Sequence, residues 1–131
     1  MSENEKNKAG QIKLLLVDDE KGFTDIIAKR MSKRDIDVTK AYSGAEALQA
    51  IRKANFDVVV LDLKMEDMDG IEILKIFKKM DPDLAVIMLT GHGSEAAAKD
   101  GIKFGAFDYL TKPCDLEELI KKIQEAVQSG R

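Results

Sequence analysis

Residues 56–62 of the chain read FDVVVLD, a nearly continuous run of apolar, mostly β-branched residues that ends in an aspartate. A run that is apolar on both faces is typical of a central strand in a parallel sheet covered by helices. Leu84–Leu89 (LAVIML) and Ile12–Val17 (IKLLLV) have the same character. These segments therefore predict the centre of a covered sheet, with Phe56–Leu61 as one of its strands.

Further strands and intervening helices complete the predicted pattern. Ile36–Tyr42 alternates apolar and polar residues, and Phe107–Leu110 is a shorter candidate strand. Apolar residues at helical spacing follow each strand, which predicts five helices. Strands that alternate with helices indicate a doubly wound α/β protein with a five-stranded parallel sheet in the order 2-1-3-4-5. The side chains expected to cap four of the helices are Ser43, Asp69, Ser94 and Asp115.

The length and composition indicate one globular domain with polar ends. The chain has 131 residues, of which 44% are hydrophobic and 34% are charged, as in ordinary globular proteins. Residues 1–10 contain almost nothing to bury, so we expect a mobile polar tail there. The predicted domain covers 11–128, and 129–131 form a short tail.

Charge and cysteine content argue against several classes of function. The net charge of −3 gives no electrostatic reason to expect nucleic acid or an anionic membrane as a direct partner. The single cysteine, Cys114, allows neither an intrachain disulfide nor a cysteine-based metal cluster. No apolar run approaches the roughly 20 residues that span a bilayer, and the polar N-terminus is not a secretory signal. The cytoplasm is therefore the expected location.

Side chains that carry chemistry stand at the ends of four predicted strands. They are Asp18 and Asp19 after the first strand, Asp62 after the third, Thr90 after the fourth and Lys112 after the fifth. In the predicted strand order, strands 1 and 3 are neighbours at the point where the chain reverses direction. Ligands bind at such a point, outside the carboxyl ends of the strands. We therefore expect these side chains to lie together.

Carboxylates that are crowded together repel one another, so this cluster needs positive charge. Lys112 is one source and a hard divalent cation is another, because Mg²⁺ takes oxygen ligands and bridges carboxylates to phosphates. The absence of a histidine or cysteine cluster argues against zinc and copper. An aspartate can also act as a nucleophile and form an aspartyl phosphate, and Asp62 is the best-placed candidate. Magnesium, Lys112 and the Thr90 hydroxyl would stabilise the transferring group.

Short motifs follow one another at the strand ends. They are Val17-Asp18-Asp19-Glu20, Leu61-Asp62-Leu63-Lys64-Met65, Asp69-Gly70, Leu89-Thr90-Gly91 and the run GAFDYLTKP at 105–113. With this ordered set the chain resembles the receiver domain of two-component response regulators, over about residues 12–127. The resemblance implies a flavodoxin-like (βα)5 fold. It also implies a phosphorylation-driven switch that modifies only itself, rather than an enzyme with external turnover.

The resemblance implies a role for each matching residue. Asp62 would be the phosphoacceptor. Asp18 and Asp19 would place Mg²⁺, with Mn²⁺ as the alternative, together with Asp62 and the backbone carbonyl of Lys64. Thr90 would sense the phosphoryl group.

Further implied roles concern the switch and the lifetime of the phosphoryl group. Lys112 would bind the phosphoryl group together with the threonine, Tyr109 would be the switch aromatic, and the Lys112–Pro113 bond would be cis. Lys64 and His92 stand at positions that tend to affect how long the phosphoryl group survives. The chain departs from the family's pattern at Glu66, where proline is common, and at Cys114, where an aromatic residue is common.

The resemblance also implies partners. The phosphoryl donor would be a phosphohistidine on a sensor histidine kinase or a phosphotransfer protein. A downstream effector would bind the face formed by helix 4, strand 5 and helix 5. The resemblance is compatible with phosphorylation-dependent dimerisation. It is also compatible with either a stand-alone receiver or a part of a longer regulator.

Three alternative functions fit the sequence less well. A phosphatase of the haloacid dehalogenase type would carry a second aspartate two residues after the nucleophile, where this chain has Lys64. A flavin-binding protein would cradle a phosphate in its first loop, but Asp18-Asp19-Glu20 repels phosphate unless a metal intervenes. A degenerate receiver that only docks partners would not need the complete residue set.

Overall fold

The computed structural model describes residues 11–91 and 93–130, and within these residues five strands alternate with five helices. The strands are β1 (Ile12–Val17), β2 (Ile36–Ala41), β3 (Val58–Asp62), β4 (Ala85–Thr90) and β5 (Asp108–Thr111). The helices are α1 (Lys21–Ser32), α2 (Gly44–Lys53), α3 (Gly70–Met80), α4 (Glu95–Lys103) and α5 (Leu116–Gly130). The predicted α/β class is confirmed.

The strands form one parallel sheet in the order β2-β1-β3-β4-β5, which confirms the predicted flavodoxin-like topology. In the register of β1 and β3, Val17 lies beside Leu61, and in that of β4 and β5, Thr90 lies beside Thr111. The residues that follow these pairs therefore share one edge of the sheet. They include Asp18, Asp62 and Lys112.

Helices cover both faces of the sheet, which explains the apolar runs of the central strands. Alternate side chains of β3 enter different cores: Val59 and Leu61 pack with α2, α3 and α4 in what we term the front core. Val58 and Val60 pack with α1 and α5 in the back core. All five residues of β3 are buried, and each apolar side chain buried in this way contributes about 1.5–3 kcal/mol.

Two of the predicted helix caps are confirmed by their hydrogen bonds. The Ser43 hydroxyl accepts from the Glu46 amide at 3.1 Å, and the Asp69 carboxylate accepts from the Ile71 amide at 3.1 Å. Ser94 occupies the expected position before α4, but the prediction that its side chain caps the helix was wrong. Its backbone (φ −111°, ψ 12°) lies outside the extended region from which a capping side chain reaches the helix amides.

The predicted domain boundaries stay a prediction, and the described residues show where the last helix ends. Helix α5 continues to Gly130, so residues 129 and 130 extend the helix beyond the expected boundary at 128. The predicted mobile tail at 1–10 and the last residue lie outside the described residues. Among the described helices, none combines the length and the apolar character that crossing a membrane requires.

Candidate functional site

Asp62 is the last residue of β3, and its side chain is buried at the edge of the sheet, with 5% of the residue exposed. One carboxylate oxygen accepts a hydrogen bond from the Lys64 amide at 3.2 Å. Burial raises the pKa of the Asp62 carboxyl to about 6; the charge of Asp18 adds to the rise and the Lys112 ammonium opposes it. Asp62 is thus a poorly solvated carboxylate that still ionises near neutral pH.

Asp18 directly follows β1 and is fully buried. Its Oδ1 accepts from the Glu20 amide at 3.0 Å, and its Oδ2 accepts from Lys112 Nζ at 2.8 Å. The Thr24 hydroxyl donates to the carbonyl oxygens of Asp18 and Glu20, which fixes the turn into α1. A buried carboxylate needs such partners, because an unpaired buried charge is strongly destabilising.

Lys112 follows β5 and places its ammonium among three carboxylates. Its Nζ lies 2.8 Å from Asp18, 2.8 Å from Glu20 and 4.0 Å from Asp62. It also lies 4.5 Å from the centre of the Phe23 ring, within the range of a cation–π interaction. Burial alone would lower the pKa of Lys112, but hydrogen bonds to Asp18 and Glu20 outweigh it, so the pKa is raised above its usual value. Lys112 therefore stays charged at neutral pH.

Thr90 ends β4 beside this group and is fully buried. Its hydroxyl donates to the Gly91 carbonyl at 3.3 Å, a long hydrogen bond within the same turn. The Lys112 amide donates to the Thr90 carbonyl at 2.6 Å, which joins the ends of β4 and β5. Thr90 is thus joined to Lys112 by a direct backbone hydrogen bond.

Three carboxylates are arranged closely enough to share a cation. Oxygen atoms of Asp18, Glu20 and Asp62 lie within 4.8 Å of one another. Hard oxygen ligands suit Mg²⁺ or Mn²⁺ and do not suit the softer transition metals, so the residues fit the predicted cation. From the sequence, Glu20 stands out only as part of a motif, and its position directly after two aspartates is the one signal for its place in this group.

Asp19 is not a member of this group of three. Its Oδ2 accepts a hydrogen bond from the backbone amide of Glu66, in the loop after β3, at 3.1 Å. The side chain of Lys64 is exposed, and this residue forms an isolated antiparallel bridge with Asp69. Metal binding by Asp19 and by the Lys64 carbonyl stays a prediction.

The loop between β3 and α3 is held by two contacts that the sequence analysis did not anticipate. A Cβ on Gly70 would lie 2.6 Å from Leu63 Cα, so this loop closes only around a glycine. The Asp67 carboxylate accepts from the amides of Gly44 and Ala45 at the start of α2, at 2.9 and 3.1 Å. These contacts fix the backbone that follows Asp62.

Residues 14–124 match the family model described as the response regulator receiver domain. The chain belongs to this family. The Escherichia coli (strain K12) transcriptional regulatory protein GlrR is 37% identical over 117 residues, which cover 89% of this chain and 26% of GlrR. The receiver domain of Francisella response regulator 1452 is 36% identical, with a TM-score of 0.85, and the match covers 92% of this chain and 100% of that one.

The chain is also similar to a regulator of which it covers a larger share. Transcriptional regulatory protein TrcR of Mycobacterium tuberculosis is 37% identical over 113 residues, which cover 86% of this chain and 44% of TrcR. The receiver domain thus spans about a quarter of GlrR and less than half of TrcR. Membership in the family establishes that the chain is a two-component receiver and implies phosphorylation-dependent signalling.

Two further features of the receiver domain bear on the predicted switch. The Lys112–Pro113 bond is cis, as expected. Tyr109 is partly buried, packs against the front core and lies beside Met88 in the register of β4 and β5. Its role as the switch aromatic stays a prediction, and His92 lies outside the described residues.

Proposed function

We propose that Asp62 accepts a phosphoryl group from a phosphohistidine on a sensor histidine kinase or phosphotransfer protein, in a reaction that requires Mg²⁺ or Mn²⁺. The observation that carries this proposal is the position of Asp62 at the end of β3, buried close to the Asp18 carboxylate and 4.0 Å from the Lys112 ammonium. A carboxylate can act as a phosphoryl acceptor when positive charge surrounds the transferred group.

The proposed reaction forms one bond and breaks one. An oxygen of the ionised Asp62 attacks phosphorus while the phosphorus–nitrogen bond of the donor breaks, and the electron pair stays on the imidazole. Asp62 can act in this way near pH 7 because its pKa of about 6 leaves most of the population ionised. A divalent cation held by the acidic side chains would supply positive charge that offsets the charge of the transferring group.

Side chains of this chain have distinct tasks in the proposal. Asp18, Glu20 and Asp62 would hold the cation, and Asp19 and the Lys64 carbonyl would complete its ligands. Thr90 and Lys112 bind phosphoryl oxygens. Thr90 ends β4, the strand next to β3, and Lys112 follows β5, the strand next to β4. The receiver changes only its own covalent state, so it has no external substrate to turn over.

We propose that the bound phosphoryl group is read through Thr90 and Tyr109. Movement of the Thr90 hydroxyl toward the phosphoryl group would let Tyr109 turn inward, and the face of α4, β5 and α5 would change for an effector. An ion pair of 2.6 Å between Lys122 of α5 and Asp108 of β5 connects two of these elements.

The lifetime of the phosphoryl group would depend on Lys64 and His92. The proposed location is the cytoplasm; phosphorylation-dependent dimerisation is a further proposal.

Intact mass after incubation with acetyl phosphate tests the proposal. The wild-type chain with Mg²⁺ should gain the mass of one phosphoryl group, whereas Asp62→Asn should gain none. Asp100→Asn is the matched control, because Asp100 is an exposed aspartate of α4, away from the strand ends. A chelator should stop the reaction of the wild-type chain and of Asp100→Asn. Undiminished labelling of Asp62→Asn would exclude Asp62 as the acceptor.

A further inference from the structure

We propose that the backbone amide of Glu66 is a positioning group that holds Asp19 away from the divalent-cation site and thereby weakens Mg²⁺ binding. The inference rests on the proposed function, because it concerns a cation bound beside Asp62. The main chain of a loop residue would thus control the position of Asp19, one member of the acidic pair that follows β1.

The geometry separates Asp19 from its two neighbours in sequence. Oxygen atoms of Asp18 and Glu20 lie within 4.8 Å of each other and of Asp62, and Asp19 is not part of this group. The Asp19 carboxylate instead accepts from the Glu66 amide at 3.1 Å. The hydrogen bond is charge-assisted, because a carboxylate is the acceptor.

The donor is fixed by contacts that do not involve Asp19. Asp67, the next residue, accepts from the amides of Gly44 and Ala45, so it ties the loop to the start of α2. The Gly70 amide donates to the Leu63 carbonyl at 3.2 Å, which closes the other side of the loop. The Asp19 side chain is therefore the part that must move when the two groups separate.

The hydrogen bond exists because residue 66 has a backbone N–H. Proline, which is common at this position in the family that the motifs resemble, has no such donor. If Asp19 must leave the amide to bind the cation, the lost hydrogen bond lowers the affinity for Mg²⁺. For a partly buried charged group such as Asp19 the effect is about tenfold in the dissociation constant.

The test compares Glu66→Pro with Glu66→Ala. Both substitutions remove the Glu66 carboxylate, but only proline removes the N–H, so alanine is the matched control for the change in charge. Isothermal titration calorimetry of the full chain with Mg²⁺ should show that Glu66→Pro binds about tenfold more tightly than Glu66→Ala. Equal or weaker binding by Glu66→Pro would overturn the inference, because the amide would then not oppose the metal.

A double-mutant comparison separates the hydrogen bond from a change in loop shape. In an Asp19→Ala background, which removes the acceptor, the difference between proline and alanine at position 66 should largely disappear. If the full difference persists there, proline acts on the loop and the inference is overturned. If Mg²⁺ fails to bind the wild-type chain, or Asp19→Ala binds it with unchanged affinity, the metal roles in the proposed function fail, and the inference fails with them.

A measurement on the wild-type chain keeps the test decisive even if the proline variant does not fold. Hydrogen exchange of the Glu66 amide, followed by NMR in the metal-free protein, should speed up when Mg²⁺ is added, because Asp19 leaves the amide. An amide that is equally protected at saturating Mg²⁺ would contradict the inference, since the hydrogen bond would then be compatible with metal binding.

Discussion

The Lys112 ammonium lies 2.8 Å from the Asp18 carboxylate but 4.0 Å from that of Asp62. The lysine is thus engaged mainly by Asp18 and by the more exposed Glu20. Among the residues that the structure describes, Asp62 accepts one hydrogen bond, from the Lys64 amide, and burial disfavours its charge. The stability of the protein should therefore change when the charge of Asp62 or of Lys112 is removed, with no phosphoryl donor present.

Asp62→Asn should stabilise the metal-free protein at neutral pH. Asp62 has a pKa of about 6 in the folded protein against 3.8 for an ordinary aspartate, so its ionisation costs stability as pH rises through this interval. A difference of about two pKa units corresponds to about 3 kcal/mol. Urea unfolding in the presence of a chelator should show a gain of about 2–3 kcal/mol at pH 8 that shrinks toward zero near pH 4. A gain that is the same at both pH values would show that its origin is not this ionisation.

Lys112→Gln should destabilise the metal-free protein by about 3 kcal/mol, because two buried carboxylates lose their nearest positive charge. Lys122→Gln is the control, since Lys122 makes a 2.6 Å ion pair with Asp108 at the surface and its loss should cost less than about 1 kcal/mol. Chemical denaturation of both variants checks the contrast. Mg²⁺ should restore part of the stability of Lys112→Gln; equal losses in the two variants would contradict the electrostatic role of Lys112.

Gly70→Ala should destabilise the fold, whereas Gly22→Ala should not. A Cβ at position 70 would meet Leu63 Cα at 2.6 Å, but a Cβ at position 22 would have nothing within 4 Å. We expect a loss of about 2–3 kcal/mol for Gly70→Ala, since backbone must shift. We expect a gain of about 0.5–1 kcal/mol for Gly22→Ala, which lies in the first turn of α1. Thermal unfolding of the two variants distinguishes them by sign.

The strand order and the meeting of Asp18, Asp62, Thr90 and Lys112 could be predicted from the sequence. Apolar runs mark strands, and topology rules place the carboxyl ends of parallel strands at one edge. The partners of individual side chains could not be predicted in this way. Glu20 reaches Lys112 and Asp19 turns to the Glu66 amide, and both choices depend on rotamers and loop geometry that leave no periodic signal.

Local backbone geometry also explains the smaller differences. Ser94 has the residue type of a helix cap, but its φ and ψ values lie outside the extended region and its side chain makes no cap hydrogen bond. Helix α5 continues through Ser129 to Gly130, although serine and glycine are weak helix formers. In this last turn the Ser129 hydroxyl donates to the Ala126 carbonyl at 3.2 Å. This hydrogen bond forms only once residue 129 is helical, so the sequence alone does not predict it.

The most direct test of phosphorylation at Asp62 locates the modified residue. The chain is incubated with acetyl phosphate and Mg²⁺, reduced with borohydride, which converts an aspartyl phosphate to homoserine, and then digested and sequenced by mass spectrometry. Homoserine should appear at position 62 and depend on both acetyl phosphate and Mg²⁺. Homoserine at another aspartate, with residue 62 unchanged, would contradict the assignment of Asp62 as the phosphoacceptor.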